Sequence, residues 1–128
     1  MRKYRILIIE DDLDLARILA DFLELKGGYE VETAPDGLEG LKMLKKSRFD
    51  LVITDITMPY VSGIGILTVL KRDHPETPVI AITGYGEEVE SLAEEKNADA
   101  VLSKPLDHEK MLKLLKEMLT KKGGAYAS

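Results

Sequence analysis

Carboxylates stand directly after short apolar runs at two places in this chain. Glu10 and Asp11 follow Ile6–Ile9, and Asp55 follows Leu51–Thr54. Thr83 closes a third run, Val79–Ile82, and Ser103, Lys104 and Pro105 follow a fourth, Ala100–Leu102. Carboxylates held close together repel and raise one another's pKa, and a divalent cation removes that cost. All-oxygen donors, few in number and leaving room for water, favour Mg2+ over zinc. Taken singly, each residue has an ordinary explanation. An Asp after a strand caps a helix, a Thr ends a strand, and a Lys is a solvated charge. Capping accounts for Asp12 and Asp14, because a helix N-terminus favours negative charge. It does not account for Glu10, Asp11, Asp55 and Lys104 as a set.

Those residues act together only if the chain gathers them, and its pattern says that it does. Apolar runs and helical stripes alternate five times. Ile6–Ile9, Leu51–Thr54, Val79–Ile82 and Ala100–Leu102 read as buried strands. In the second strand Tyr29, Val31 and Thr33 alternate with Glu30 and Glu32, giving one wetter face. Helical spacing joins Leu15, Leu19, Phe22 and Leu23, then Leu38, Leu41 and Leu44, then Ile64, Leu67 and Leu70. A fourth helical segment carries Val89, Leu92 and Ala93, and the last carries Met111, Leu114, Leu115 and Met118. Gly27-Gly28 and Asn97 suit helix ends, and Pro35-Asp36-Gly37 suits a turn. A (βα)5 pattern predicts an α/β fold, a doubly wound parallel five-stranded sheet with helices on both faces. Right-handed crossovers put every strand's carboxyl end on one edge, where such folds bind ligands. The acids, the threonine and the lysine all fall on that edge.

Composition narrows the classes. A chain of 128 residues suits one domain, expected over 1–120, with "KKGGAYAS" leaving 121–128 as a flexible tail or cut linker. The net charge of −5 argues against direct nucleic-acid binding as the main role. Absence of cysteine removes disulfides and thiolate metal sites. The run Ile6–Ile9 is too short for a signal peptide and no stretch approaches a membrane span, so a soluble cytoplasmic protein without membrane partners is expected. Glutamine is absent and asparagine occurs once, which fits a heat-adapted source. His74 and His108 read as surface residues away from the acidic edge, and the Met111–Met118 stripe as core.

These residues also carry a resemblance. Glu10-Asp11 after "ILII", Asp55 with Met58-Pro59 and Gly63, Thr83 after "VIAI", and Lys104-Pro105 after "AVLS" stand in the order seen in response-regulator receiver domains, the family of the chemotaxis regulators. The resemblance spans roughly residues 3–119. It implies the flavodoxin-like strand order 2-1-3-4-5 and a phosphoacceptor of two-component systems. By resemblance Asp55 is the phosphoacceptor, a nucleophile forming an acyl phosphate. Asp11 and Asp55 are Mg2+ ligands, the Thr57 carbonyl is the third, and Glu10 acts through water. Thr83 turns its hydroxyl to the phosphoryl group, Lys104 pairs with it, and the Lys104-Pro105 bond is cis. The donor would be a sensor histidine kinase or a histidine phosphotransfer protein. The output would pass to a downstream effector through the face of the fourth helical segment, fifth strand and last helix.

The chain departs from the family at named places. Val101 stands where a switch aromatic is usual, Gly84 follows Thr83 where alanine is common, and Ser62 replaces a frequent Asp before Gly63. Thr57 and Tyr85 border the approach of hydrolytic water in the family, and neither is an obvious general base, so a long-lived phosphoform is expected. Such a domain is not a turnover enzyme; it has at most self-phosphorylation and self-dephosphorylation. Three other readings compete. A haloacid-dehalogenase-like phosphatase also uses an Asp nucleophile and Mg2+, but normally wants a second Asp where Thr57 stands. A flavodoxin-like nucleotide binder needs a phosphate-cradling loop where "EDDLD" would repel one. A pseudo-receiver that only binds partners would not need the intact acid set.

Overall fold

The computed structural model describes residues 3–56, 63–84 and 98–121. Five parallel strands form one sheet: β1 (Arg5–Ile9), β2 (Glu30–Ala34), β3 (Leu51–Asp55), β4 (Val79–Thr83) and β5 (Ala100–Ser103), in the order β2-β1-β3-β4-β5. Four helices are described: α1 (Leu13–Gly27), α2 (Gly37–Lys46), α3 (Gly63–Asp73) and α4 (His108–Lys121). The helix expected around Val89–Ala93, with Asn97, lies outside the described residues.

The strands alternate their side chains between two cores, as the two-residue period of a strand requires. Ile6, Ile8, Ile53, Ile80 and Ile82 pack with Leu19 and Leu23 of α1 and with Met111, Leu115 and Met118 of α4. Leu7, Ile9, Val52, Val79 and Ala81 face the other way, onto Leu44 of α2 and Ile66, Leu67 and Leu70 of α3. Strands covered on both faces read as continuous apolar runs, and β3 and β4 are buried throughout. The methionine stripe of α4 is thus core.

The chain's own caps set where the helices start and stop. Asp12 is the N-cap of α1 and accepts from Leu15 N–H at 3.1 Å, with Asp14 in the first turn. Gly28 ends α1 in the left-handed region, with φ 71°, and its N–H donates to Glu24 O. Asp36 caps α2, accepting from Glu39 N–H at 2.8 Å.

Three local expectations are corrected. Tyr29, just before β2, is buried and Val31 half-buried, but Thr33 is exposed and Ala34 is buried instead. β2 is an edge strand, and the small Ala16 and Ala20 of α1 leave a groove in front of Thr33. In α2 Leu38 is exposed and Gly37 and Gly40 are buried. The helix comes so close to β1 at Gly40 that a Cβ there would stand 2.5 Å from Ile9 Cδ1. Finally, His74 and His108 are half-buried rather than fully on the surface. The His108 ring lies 5.3 Å from that of Phe22, joining α4 to α1.

Candidate phosphoacceptor and metal site

The register of the sheet builds the site. Ile9 pairs with Thr54, so Glu10 and Asp55 leave β1 and β3 at the same level. Asp55 pairs with Ile82 and Thr83 with Ser103, which brings the end of β4 and the start of the Lys104 segment beside them. Glu10 N–H donates to Ala34 O at 3.0 Å and Lys104 N–H to Thr83 O at 2.8 Å, extending both ladders by one residue. Thr54, a polar residue inside an apolar run, is fully buried and its hydroxyl donates to the Asp55 carbonyl at 3.1 Å. Reading the sequence for chemistry passed over Thr54. Its signal was a hydroxyl with no water to bind, one residue before the acid.

Glu10, Asp11 and Asp55 each bring a carboxylate oxygen within 4.8 Å of the others. Asp55 and Glu10 are buried, and Asp11 is exposed at the rim. Lys104 Nζ donates to Asp55 Oδ2 at 2.8 Å and lies 3.5 Å from Glu10 Oε1. Glu10 Oε2 accepts from Asp12 N–H at 3.0 Å. Glu10 Oε1 is buried and accepts no hydrogen bond. Burial pushes the Glu10 carboxyl up to about 7, against the Asp12 N–H and with help from the nearby Asp55 charge. Burial pulls the Lys104 ammonium down, but the hydrogen bond and charge of Asp55, with Glu10 behind them, outweigh it and hold it above its ordinary value.

A carboxylate oxygen without a hydrogen bond is costly in a protein interior, and here it belongs to a trio of hard oxygen donors. That combination fits a divalent cation, Mg2+ in particular. Thr83, fully buried, stands at the end of β4, and the Lys104-Pro105 peptide is cis. Val101 is half-buried in β5 and Gly84 follows Thr83 with its Cα side open to the Lys104 stem. Of the residues expected here, the structure brings together Glu10, Asp11, Asp55 and Lys104, with Thr83 on the same edge. Thr57 and Tyr85 lie outside the described residues, as do Met58, Pro59 and Ser62.

The chain was compared with known proteins. The profile of the response regulator receiver domain matches residues 6–116. The transcriptional regulatory protein CpxR homolog of Haemophilus influenzae is 35% identical over 116 residues, covering 90% of this chain and 50% of that protein. Two solved structures are similar throughout. A CheY-like response regulator receiver domain protein from Methanospirillum hungatei has a TM-score of 0.90 at 32% identity, covering 95% of this chain and 98% of that one. A response regulator receiver domain protein from Clostridium thermocellum has a TM-score of 0.87 at 32% identity, covering 94% and 97%. The chain spans half the length of the Haemophilus relative. No described helix is long and apolar enough to cross a membrane.

Proposed function

The chain belongs to the response regulator receiver domain family, a signalling family rather than one of turnover enzymes, and on that premise we propose that Asp55 is its phosphoacceptor. The observation that carries this is the Lys104 ammonium 2.8 Å from a buried Asp55 carboxylate at the end of β3, inside a trio of carboxylates. An Asp55 oxygen attacks the phosphorus of a phosphohistidine. The O–P bond forms as the N–P bond breaks, and the imidazole leaves with its electron pair and takes up a proton. The donor is a sensor histidine kinase or a histidine phosphotransfer protein.

Each neighbour has a task. Asp11 and Asp55 would hold Mg2+, with the Thr57 carbonyl as a third ligand and Glu10 acting through water, as the family resemblance implies. When bound, Mg2+ supplies positive charge against the phosphoryl oxygens. Lys104 gives a second positive charge and moves its hydrogen bond from the carboxylate to the phosphoryl group. The Thr83 hydroxyl donates to that group, a charge-assisted bond it gains only on phosphorylation. With Val101 in place of an aromatic, the signal leaves through the loop after β4 and the face that includes β5 and α4, not through a rotating ring. The setting is cytoplasmic. The chain's acidity argued against direct DNA contact, but its relative is a transcriptional regulatory protein twice its length. The expectation of no nucleic acid therefore does not extend to the output of a whole protein.

The test is incubation with acetyl phosphate and Mg2+, followed by intact mass. One added phosphate, lost in Asp55→Asn and absent without Mg2+, is the expected result. Continuous hydrolysis of phosphoesters with no adduct would instead return the phosphatase reading, which nothing at the site favours.

A further inference from the structure

Ahead of Asp55, Thr54 is the one polar residue of β3, and packing does not ask for its hydroxyl. Thr54 is fully buried. It pairs with Ile9 of β1 and with Ala81 of β4. By the strand period its side chain shares a face with Val52, in the core beneath α2 and α3. Those neighbours are all apolar. A valine would fill the same shape with no hydroxyl to take out of water. The hydroxyl turns back on its own chain and donates to the Asp55 carbonyl at 3.1 Å.

That carbonyl is one end of the peptide unit joining Asp55 to Ile56. The other end, the Ile56 N–H, donates to Ile82 O at 3.0 Å. A peptide unit is planar, so a hydrogen bond at each end fixes its tilt, and that tilt sets ψ of Asp55. The position needs such a hold. The register between β1 and β3 ends at Thr54, one residue short of the nucleophile, and Glu10 N–H has turned to Ala34 O on the far side of β1. Lys104 holds the Asp55 carboxylate at 2.8 Å. Thr54 holds the backbone from which that carboxylate hangs.

We propose that Thr54 is a positioning residue for phosphoryl transfer, fixing the Asp55 backbone so that its carboxylate meets phosphorus in line. This rests on the reading of Asp55 as phosphoacceptor. Small displacements of a nucleophile slow attack steeply. The test compares wild type, Thr54→Val and Thr54→Ser with acetyl phosphate and Mg2+. Asp55 takes the phosphoryl group, acetate leaves, and intact mass gives the initial rate. Thermal melts are recorded on the same three proteins. Thr54→Val keeps the shape and loses the hydroxyl, so it should melt above Thr54→Ser yet take up phosphate about fivefold more slowly than wild type. Thr54→Ser loses a buried methyl but keeps the donor, so it should melt lower and keep the wild-type rate. A residue that served packing alone would order rate and stability the same way. The proposal is overturned if Thr54→Val reacts as fast as wild type, if rates follow melting temperatures, or if Thr54→Val does not fold. Failure of wild type to take up phosphate would reject the phosphoacceptor reading itself, and this inference with it.

Discussion

Lys104 Nζ donates to Asp55 Oδ2 at 2.8 Å across a separation of 49 residues, and the same ammonium lies 3.5 Å from Glu10 Oε1. One cation thus stands against two buried carboxylates, and Glu10 Oε1 is left without a hydrogen bond. The site as folded is short of positive charge, and several outcomes follow from that shortage.

Mg2+ should stabilise the fold, because a ligand that binds only the folded state at about 100 times its Kd adds about 2.7 kcal/mol. Thermal melts with and without Mg2+ should differ, and Asp55→Asn should shrink the difference. Equal shifts in the variant would place the metal elsewhere.

Without metal, stability should fall as pH rises from about 4.5 to about 7. The Glu10 carboxyl is raised to about 7 on folding, so between those values the folded state binds more protons than the unfolded, and each rise in pH favours unfolding. The shift corresponds to about 3 kcal/mol at most, lost fully above pH 7. Urea denaturation across this range should show the slope, and Glu10→Gln should flatten it. A slope unchanged in Glu10→Gln would assign it to other groups.

Gly40→Ala should cost about 1–3 kcal/mol, the usual range for overpacking a filled core. Its Cβ would stand 2.5 Å from Ile9 Cδ1 and 2.9 Å from Cγ1, and Ile9 is fully buried with nowhere to turn. Ile9→Val should recover part of that loss, and the coupling is read from a double-mutant cycle of denaturation midpoints. Additive effects would mean that the backbone moves instead.

The phosphorylated form should be long-lived. Water must approach phosphorus in line with the leaving carboxylate; by resemblance to the family, the positions of Thr57 and Tyr85 border that approach, and this sequence has a short hydroxyl and a bulky ring there in place of an amide or acid. Decay of the phosphorylated mass after removal of donor, with Mg2+ retained, should be slow and should quicken in Thr57→Asn combined with Tyr85→Glu. Decay within seconds, or an unchanged rate in the double variant, would reject this shielding.

Much of the fold was legible in the sequence because burial on both faces leaves a direct trace. Ile6–Ile9, Leu51–Ile53 and Val79–Ile82 are uninterrupted apolar runs since β1, β3 and β4 have helices on either side. Polar residues placed directly after those runs had to meet at the carboxyl edge of a parallel sheet, so Glu10, Asp11, Asp55, Thr83 and Lys104 could be named from order alone. The sequence was weaker where packing decides. Leu38 fits the helical stripe but faces solvent, because α2 turns Gly37 and Gly40 toward β1. Thr33 fits an alternating strand but faces a groove, because the helix opposite offers only Ala16 and Ala20.

What the sequence determined by itself was which residues share an edge, since strand period and crossover handedness are local rules. Which of those residues pair with one another came from the folded arrangement alone. The division of Lys104 between Asp55 and Glu10 and the orphaned Glu10 Oε1 depend on distances between segments far apart in the chain. Such distances are fixed by how helices seat on a sheet, to which many side chains contribute at once, and no spacing in a linear sequence encodes them.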